Sequence, residues 1–77
     1  MHKMTSRTFP STTSLRCFEA SARFLSFTKA AQVLHMTQSA VSKQVIHLED
    51  SLNTTLFDRS LKGLNLTPSG KIFLAEA

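Results

Sequence analysis

Apolar residues recur along this chain at two different periods, and the change from one to the other divides it. From Leu15 the apolar positions Leu15, Phe18, Ala22 and Leu25 fall three and four residues apart, the spacing that gathers side chains on one face of an α-helix. Thr13 or Ser14 is suited to cap its start. Ser26 can cap a second helix, in which Phe27, Ala30, Ala31 and Leu34 again follow the helical period. Its two alanines leave room for another helix to approach closely. The stretch Leu34-His35-Met36-Thr37 breaks the pattern and predicts a tight turn, with Thr37 as a fresh cap for a third helix from Gln38 to Leu52. In that helix Val41, Val45, Leu48 and Leu52 form one apolar stripe, and Asn53 can end it by adopting the left-handed conformation.

Beyond Asn53 the period shortens. Leu56-Phe57-Asp58-Arg59 and Leu64-Asn65-Leu66 are short β-compatible runs separated by Ser60-Leu61-Lys62-Gly63, whose glycine suits a hairpin turn. A two-stranded wing over residues 56–66 is predicted. Thr67-Pro68 then supplies a cap and a first-turn proline, so that Ser69 to Ala77 begins a fourth helix carrying Ile72 and Phe73. At the other end, residues 1–12 are rich in Ser and Thr, carry Lys3, Arg7 and Pro10, and show no periodicity. They read as a flexible basic arm, either a solvated tail or a segment that touches phosphates. The expected fold class is mainly α with a small β-hairpin. In detail it is a winged helix-turn-helix with a three-helix core, a two-stranded wing and the start of a linker helix. The arm takes residues 1–12, the winged domain 13–67 and the linker helix 68–77.

Composition narrows the function. A chain of 77 residues holds one small domain, and a hydrophobic fraction of 42% with two Gly and two Pro excludes wholesale disorder. Nine Lys+Arg against five Asp+Glu leave a formal charge of +4, which suits a polyanionic partner such as nucleic acid. The single cysteine, Cys17, has no partner for an internal disulfide and no Cys/His spacing for zinc, and reads as a small buried hydrophobe. No apolar run is long enough to span a membrane, and no apolar stretch of a signal peptide follows Met1. A cytoplasmic setting is expected.

The chemistry concentrates at the start of the third helix, where Gln38, Ser39, Ser42 and Lys43 crowd the first turn and a half away from the apolar stripe. Two helices joined by a tight turn, the second with a hydrogen-bonding tip, meet the demands of major-groove readout, because a helix fits that groove. Gln favours adenine and Lys favours guanine where geometry allows, while the helix dipole and free N–H groups at the same end favour phosphate. In the wing, Arg59 and Lys62 fall where a hairpin tip can straddle the backbone or enter a narrow A·T-rich minor groove. The candidate DNA-binding set is therefore Ser26, Lys29, Thr37, Gln38, Ser39, Ser42, Lys43, Arg59 and Lys62. Arg16, Arg23 and Lys71 can add to the field or stay simply solvated. The pattern of Ser39, Ser42 and Lys43 fits an ordinary solvent face equally well.

The string carries more than its periodicity does. Leu15-Arg16-Cys17-Phe18-Glu19-Ala20, Leu25-Ser26-Phe27-Thr28-Lys29-Ala30-Ala31, Thr37-Gln38-Ser39-Ala40-Val41-Ser42-Lys43-Gln44, Leu48-Glu49, Leu56-Phe57-Asp58-Arg59 and Leu66-Thr67-Pro68-Ser69-Gly70 follow in order. Together they resemble the signature of LysR-type transcriptional regulators over about Ser14 to Ala77. Phe18-Glu19-Ala20 and Leu25-Ser26-Phe27-Thr28 look most like the branch that contains glycine-cleavage activators and β-lactamase regulators. The resemblance implies sequence-specific binding of double-stranded DNA at an A·T-rich interrupted palindrome, for transcription regulation. It also implies a homodimer in which the recognition helices, residues 38–52 here, enter successive major grooves and the fourth helix pairs as a linker. Family members continue into a larger domain that senses a small molecule, so no effector site is expected within these 77 residues. Asn53 stands where the family usually has glycine, a change that positive φ at Asn tolerates. Only about ten residues of linker helix are present, which predicts weak dimerisation of this chain.

Two other classes compete. A winged helix can dock a protein rather than DNA, with affinity insensitive to salt, and a shortened regulator can compete with longer relatives for their sites. An enzyme would need Cys17 or a serine paired with His35 or His47, yet neither histidine has a Cys, Asp or Glu partner at triad or metal-ligand spacing. Neither a catalytic residue nor a metal or cofactor is expected. Glu49, beside Leu48 near a helix end, reads as a structural ion pair or cap rather than an acid catalyst.

Overall fold

The computed structural model describes residues 11–60 and 63–76. The element order is α1 (Thr12–Phe24), α2 (Phe27–Leu34), α3 (Gln38–Leu52), β1 (Phe57–Ser60), β2 (Gly63–Leu66) and α4 (Pro68–Glu76). This is the winged helix-turn-helix the periodicity predicts. Most of the predicted arm, together with Leu61 and Lys62 of the wing turn, lies outside the described residues.

Each helix begins on a hydroxyl cap. Ser26 Oγ accepts from Lys29 N at 3.1 Å, Thr37 Oγ1 from Ala40 N at 3.1 Å and Thr67 Oγ1 from Gly70 N at 3.0 Å, satisfying N–H groups that have no partner inside the helix. The first helix departs from expectation. Its cap is Ser11, whose Oγ accepts from Ser14 N at 3.0 Å, and neither Thr13 nor Ser14 serves. Ser14 is instead buried, its hydroxyl donating to Gln44 Oε1 of α3 at 2.9 Å. A long-range partner has taken the side chain that local pattern assigned to a cap.

All three core helices end on a non-glycine residue with positive φ: Leu25 at 49°, His35 at 57° and Asn53 at 54°. At Asn53 this matches the expectation, with Thr54 N reaching back to Glu49 O at 3.1 Å. Leu25 was expected on the apolar face of α1. The left-handed turn there carries its side chain out, and it is 44% exposed.

The core is formed by Cys17, Phe18, Val41, Val45, Leu48, Leu56 and Phe57, with Ala20, Ala22, Ala30 and Ala31 filling the narrow gaps between helices. Small side chains at Ala30 and Ala31 let α2 lie close to its neighbours, which the tight turn at His35 requires. Three aromatic contacts join the layers. Phe18 of α1 meets Phe57 of β1 at 5.5 Å and Phe73 of α4 at 5.3 Å between ring centroids, and Phe27 of α2 meets Phe57 at 5.8 Å.

The wing is antiparallel, pairing Phe57 with Leu66, Asp58 with Asn65, Arg59 with Leu64 and Ser60 with Gly63. Gly63 has φ of 115°, a value that L side chains rarely adopt. Gly70 is required for a different reason. A Cβ there would run into the carbonyl oxygen of Leu56, so its absence lets α4 pack on the base of the wing. In α4, Phe73 is half-buried, whereas Ile72 is 63% exposed.

Candidate nucleic-acid interface

The α2–turn–α3 unit sets the geometry of the predicted reading tip. α3 buries Val41, Val45 and Leu48, and one helical turn is 3.6 residues. Ser39 and Lys43 therefore fall opposite the buried stripe, and Gln38 and Ser42 fall on the flank they share with Glu49. Gln38, Ser39 and Lys43 are exposed and Ser42 is half-buried. The structure thus brings these four onto the accessible side of one helix end. Thr37 and Ser26 are committed to caps, so their hydroxyls face their own helices' N–H groups. Lys29 is exposed in the first turn of α2.

That first turn of α2 lies between the tip of α3 and the wing. Thr28 Oγ1 donates to Gln38 Oε1 at 3.1 Å. Phe27, beside it, packs edge-on against Phe57 and carries the guanidinium of Arg59 over its ring at 5.3 Å. Arg59 is not at the hairpin tip. It pairs with Leu64 one step below the turn, and its guanidinium lies 3.5 Å from Glu49 Oε1. The second oxygen of that carboxylate accepts from Leu56 N at 2.8 Å and Phe57 N at 3.1 Å. Glu49 is therefore the structural partner its position suggested, holding the wing base against the reading helix. Lys62 lies outside the described residues.

Three residues were missed in the sequence. Thr28 touches the tip from another helix, which no single-helix period can reveal. Gln44 ties α3 to Ser14 across 30 residues of sequence. Ile46 is 43% exposed and one turn beyond Ser42 and Lys43. The signal for Ile46 was present, since it breaks the period of the stripe Val41, Val45 and Leu48.

Arg16, Arg23, Lys29, Lys43 and Lys71 are all exposed, as are the acidic Glu19, Asp50, Asp58 and Glu76. Cys17 is fully buried and its thiol donates to Met36 Sδ at 3.7 Å. Burial pushes that thiol's pKa up, against a smaller opposing effect of Arg16. Among the described residues no group of three or more His, Cys, Asp and Glu could hold a metal ion, and no helix is long and apolar enough to cross a membrane.

The family described as "Bacterial regulatory helix-turn-helix protein, lysR family" matches residues 12–71. The chain belongs to the LysR family. Among LysR relatives it is 56% identical over 57 residues to a carbapenem-hydrolyzing beta-lactamase transcriptional activator of Enterobacter cloacae, which covers 74% of this chain and 19% of that protein. It is 51% identical over 65 residues to the HTH-type transcriptional regulator TrpI of Pseudomonas aeruginosa, covering 84% of this chain and 22% of that one. The chain thus spans about a fifth of these relatives' length. The solved BenM DNA-binding domain in complex with catB site 1 DNA superposes with a TM-score of 0.78 at 36% identity, covering 82% of this chain and 71% of that one. Corynebacterium glutamicum OxyR, as an H2O2-bound C206S mutant, superposes at 0.85 with 31% identity, covering 88% and 22%. The matched LysR relatives are transcriptional regulators, the β-lactamase activator among them being of the branch that Phe18-Glu19-Ala20 and Leu25-Ser26-Phe27-Thr28 suggested.

Proposed function

We propose that this chain binds double-stranded DNA sequence-specifically, as the DNA-binding part of a bacterial transcription regulator working in the cytoplasm. The observation that carries this reading is the cluster of exposed Gln38, Ser39 and Lys43 with half-buried Ser42 at the start of α3, presented by a capped helix-turn-helix. α3 enters the major groove, where Gln38, Ser39, Ser42 and Lys43 meet base edges. The first turns of α2 and α3, begun by Ser26 and Thr37, face phosphates, and Lys29 adds charge there. The wing, residues 56–66, lies on the backbone or minor groove, with Lys62 and Arg59 as its basic contacts. The likeness to a LysR DNA-binding domain solved on DNA supports this docking.

The DNA is an A·T-rich interrupted palindrome read by two copies. α4 is the start of the helix through which the two copies pair. No part of a small-molecule effector site falls within it. The division into arm, reader and linker belongs to the same proposal, with the reader starting at the Ser11 cap and Thr12 rather than at residue 13.

Fluorescence anisotropy of the purified chain against a random duplex and an A·T-rich interrupted palindrome, at two salt concentrations, tests the reading. Salt-sensitive binding that favours the palindrome is expected. A folded chain that binds neither duplex at low salt would overturn it and favour a protein-docking role.

A further inference from the structure

Thr28 is exposed, yet its hydroxyl reaches across from α2 to the first residue of α3, donating to Gln38 Oε1 at 3.1 Å. Both ends of this bond sit on fixed backbone. Thr28 lies within the first turn of α2 behind the Ser26 cap, and its neighbour Phe27 is held by Phe57 and Arg59. Gln38 follows directly on the Thr37 cap.

A glutamine amide has one acceptor end and one donor end. Bidentate recognition of adenine needs both ends side by side, Oε1 on the adenine N6 amino group and Nε2 on N7. Here Thr28 occupies one of the two lone pairs of Oε1 and draws that end toward α2, which leaves Nε2 and its two N–H groups as the leading edge of the side chain. We propose that Thr28 is a positioning residue that fixes the Gln38 amide with its donors outward, so that Gln38 selects an acceptor edge, guanine or thymine, rather than adenine. Guanine offers O6 and N7 and thymine offers O4. This refines the preference for adenine that residue type alone suggested, and it rests on the proposal that α3 reads the major groove.

The test is selection from a randomised duplex library by the full chain and four variants: Thr28→Val, Thr28→Ser, Gln38→Ala and the double variant T28V/Q38A. The wild type is expected to enrich guanine or thymine at one position of each half-site. Thr28→Val, which keeps shape and removes the hydroxyl, lowers that preference about three- to tenfold toward adenine at that position alone. Thr28→Ser restores it, and the double variant selects like Gln38→Ala. Unchanged thermal unfolding of T28V verifies that the fold is intact. Selection by T28V identical to wild type, a shift spread over every position, or adenine at the Gln38-dependent position in the wild type would each overturn the inference while leaving DNA reading intact. A wild-type chain that enriches no sequence overturns the groove reading and this inference with it.

Discussion

The carboxylate of Glu49 lies 3.5 Å, Oε1 to Nη2, from the guanidinium of Arg59, joining the third helix to the first wing strand. The same carboxylate accepts from the backbone of Leu56 and Phe57 through Oε2. One acidic side chain thus holds both the entry of the wing and its arginine. The ion pair itself is partly solvated and contributes at most about 1 kcal/mol. The two backbone bonds weigh more, because they serve N–H groups of fully buried residues.

Replacing Glu49 with alanine is therefore expected to cost about 1–3 kcal/mol of stability. Glu49→Gln, which keeps one acceptor oxygen, is expected to cost less. Urea unfolding followed by circular dichroism measures both. Equal losses for the two variants would assign the effect to the ion pair instead.

Arg59 and Lys29 should separate in the salt dependence of DNA binding. Lys29 is exposed in the first turn of α2, and removing a cation that neutralises one phosphate lowers the logarithmic salt slope by about 0.9. The charge of Arg59 is already balanced by Glu49 and stacked on Phe27. Lys29→Ala is thus expected to reduce the slope by close to one unit and Arg59→Ala by clearly less, as read from anisotropy titrations over a salt series. A full-unit loss for Arg59→Ala would mean that DNA draws the guanidinium away from Glu49.

Ser21 is fully buried in α1, and its hydroxyl has no hydrogen-bond partner among the described residues. Burying an unpaired hydroxyl costs roughly 1–3 kcal/mol on the scale of protein substitutions. Ser21→Ala is expected to raise the unfolding midpoint, by about 1 kcal/mol of stability. A lower midpoint would show that the hydroxyl is satisfied in solution.

Cys17 links stability to pH. Burial raises the folded thiol's pKa above its ordinary value of 9.0, so the folded state favours the protonated form. The corresponding stability is complete below the unfolded pKa and is lost as pH rises through the folded one. Unfolding free energy is expected to fall above about pH 9, with Cys17→Ala flattening that fall. The same burial predicts slow reaction with a thiol reagent until the chain unfolds.

How much of this was legible beforehand depended on the range of the interaction. The stripe Val41, Val45 and Leu48, the caps Ser26, Thr37 and Thr67, the stop at Asn53 and the hairpin glycine Gly63 are local events, set by spacings of a few residues. Those follow from the sequence alone, and so does the crowding of Gln38, Ser39, Ser42 and Lys43 at one helix end. The ordered LysR-like segments added the family. Tertiary structure alone decided where competing side chains went. Ser14 left its expected cap for Gln44, Leu25 turned outward at a left-handed stop, and Ile72 faced solvent. Arg59 turned from the wing tip to Glu49 and Phe27, and Thr28 took hold of Gln38. The physical reason is common to the last pair and to Ser14. Each side chain has a local role that its own helix or strand permits and a partner on another element, and only the packed arrangement brings that partner within bonding distance.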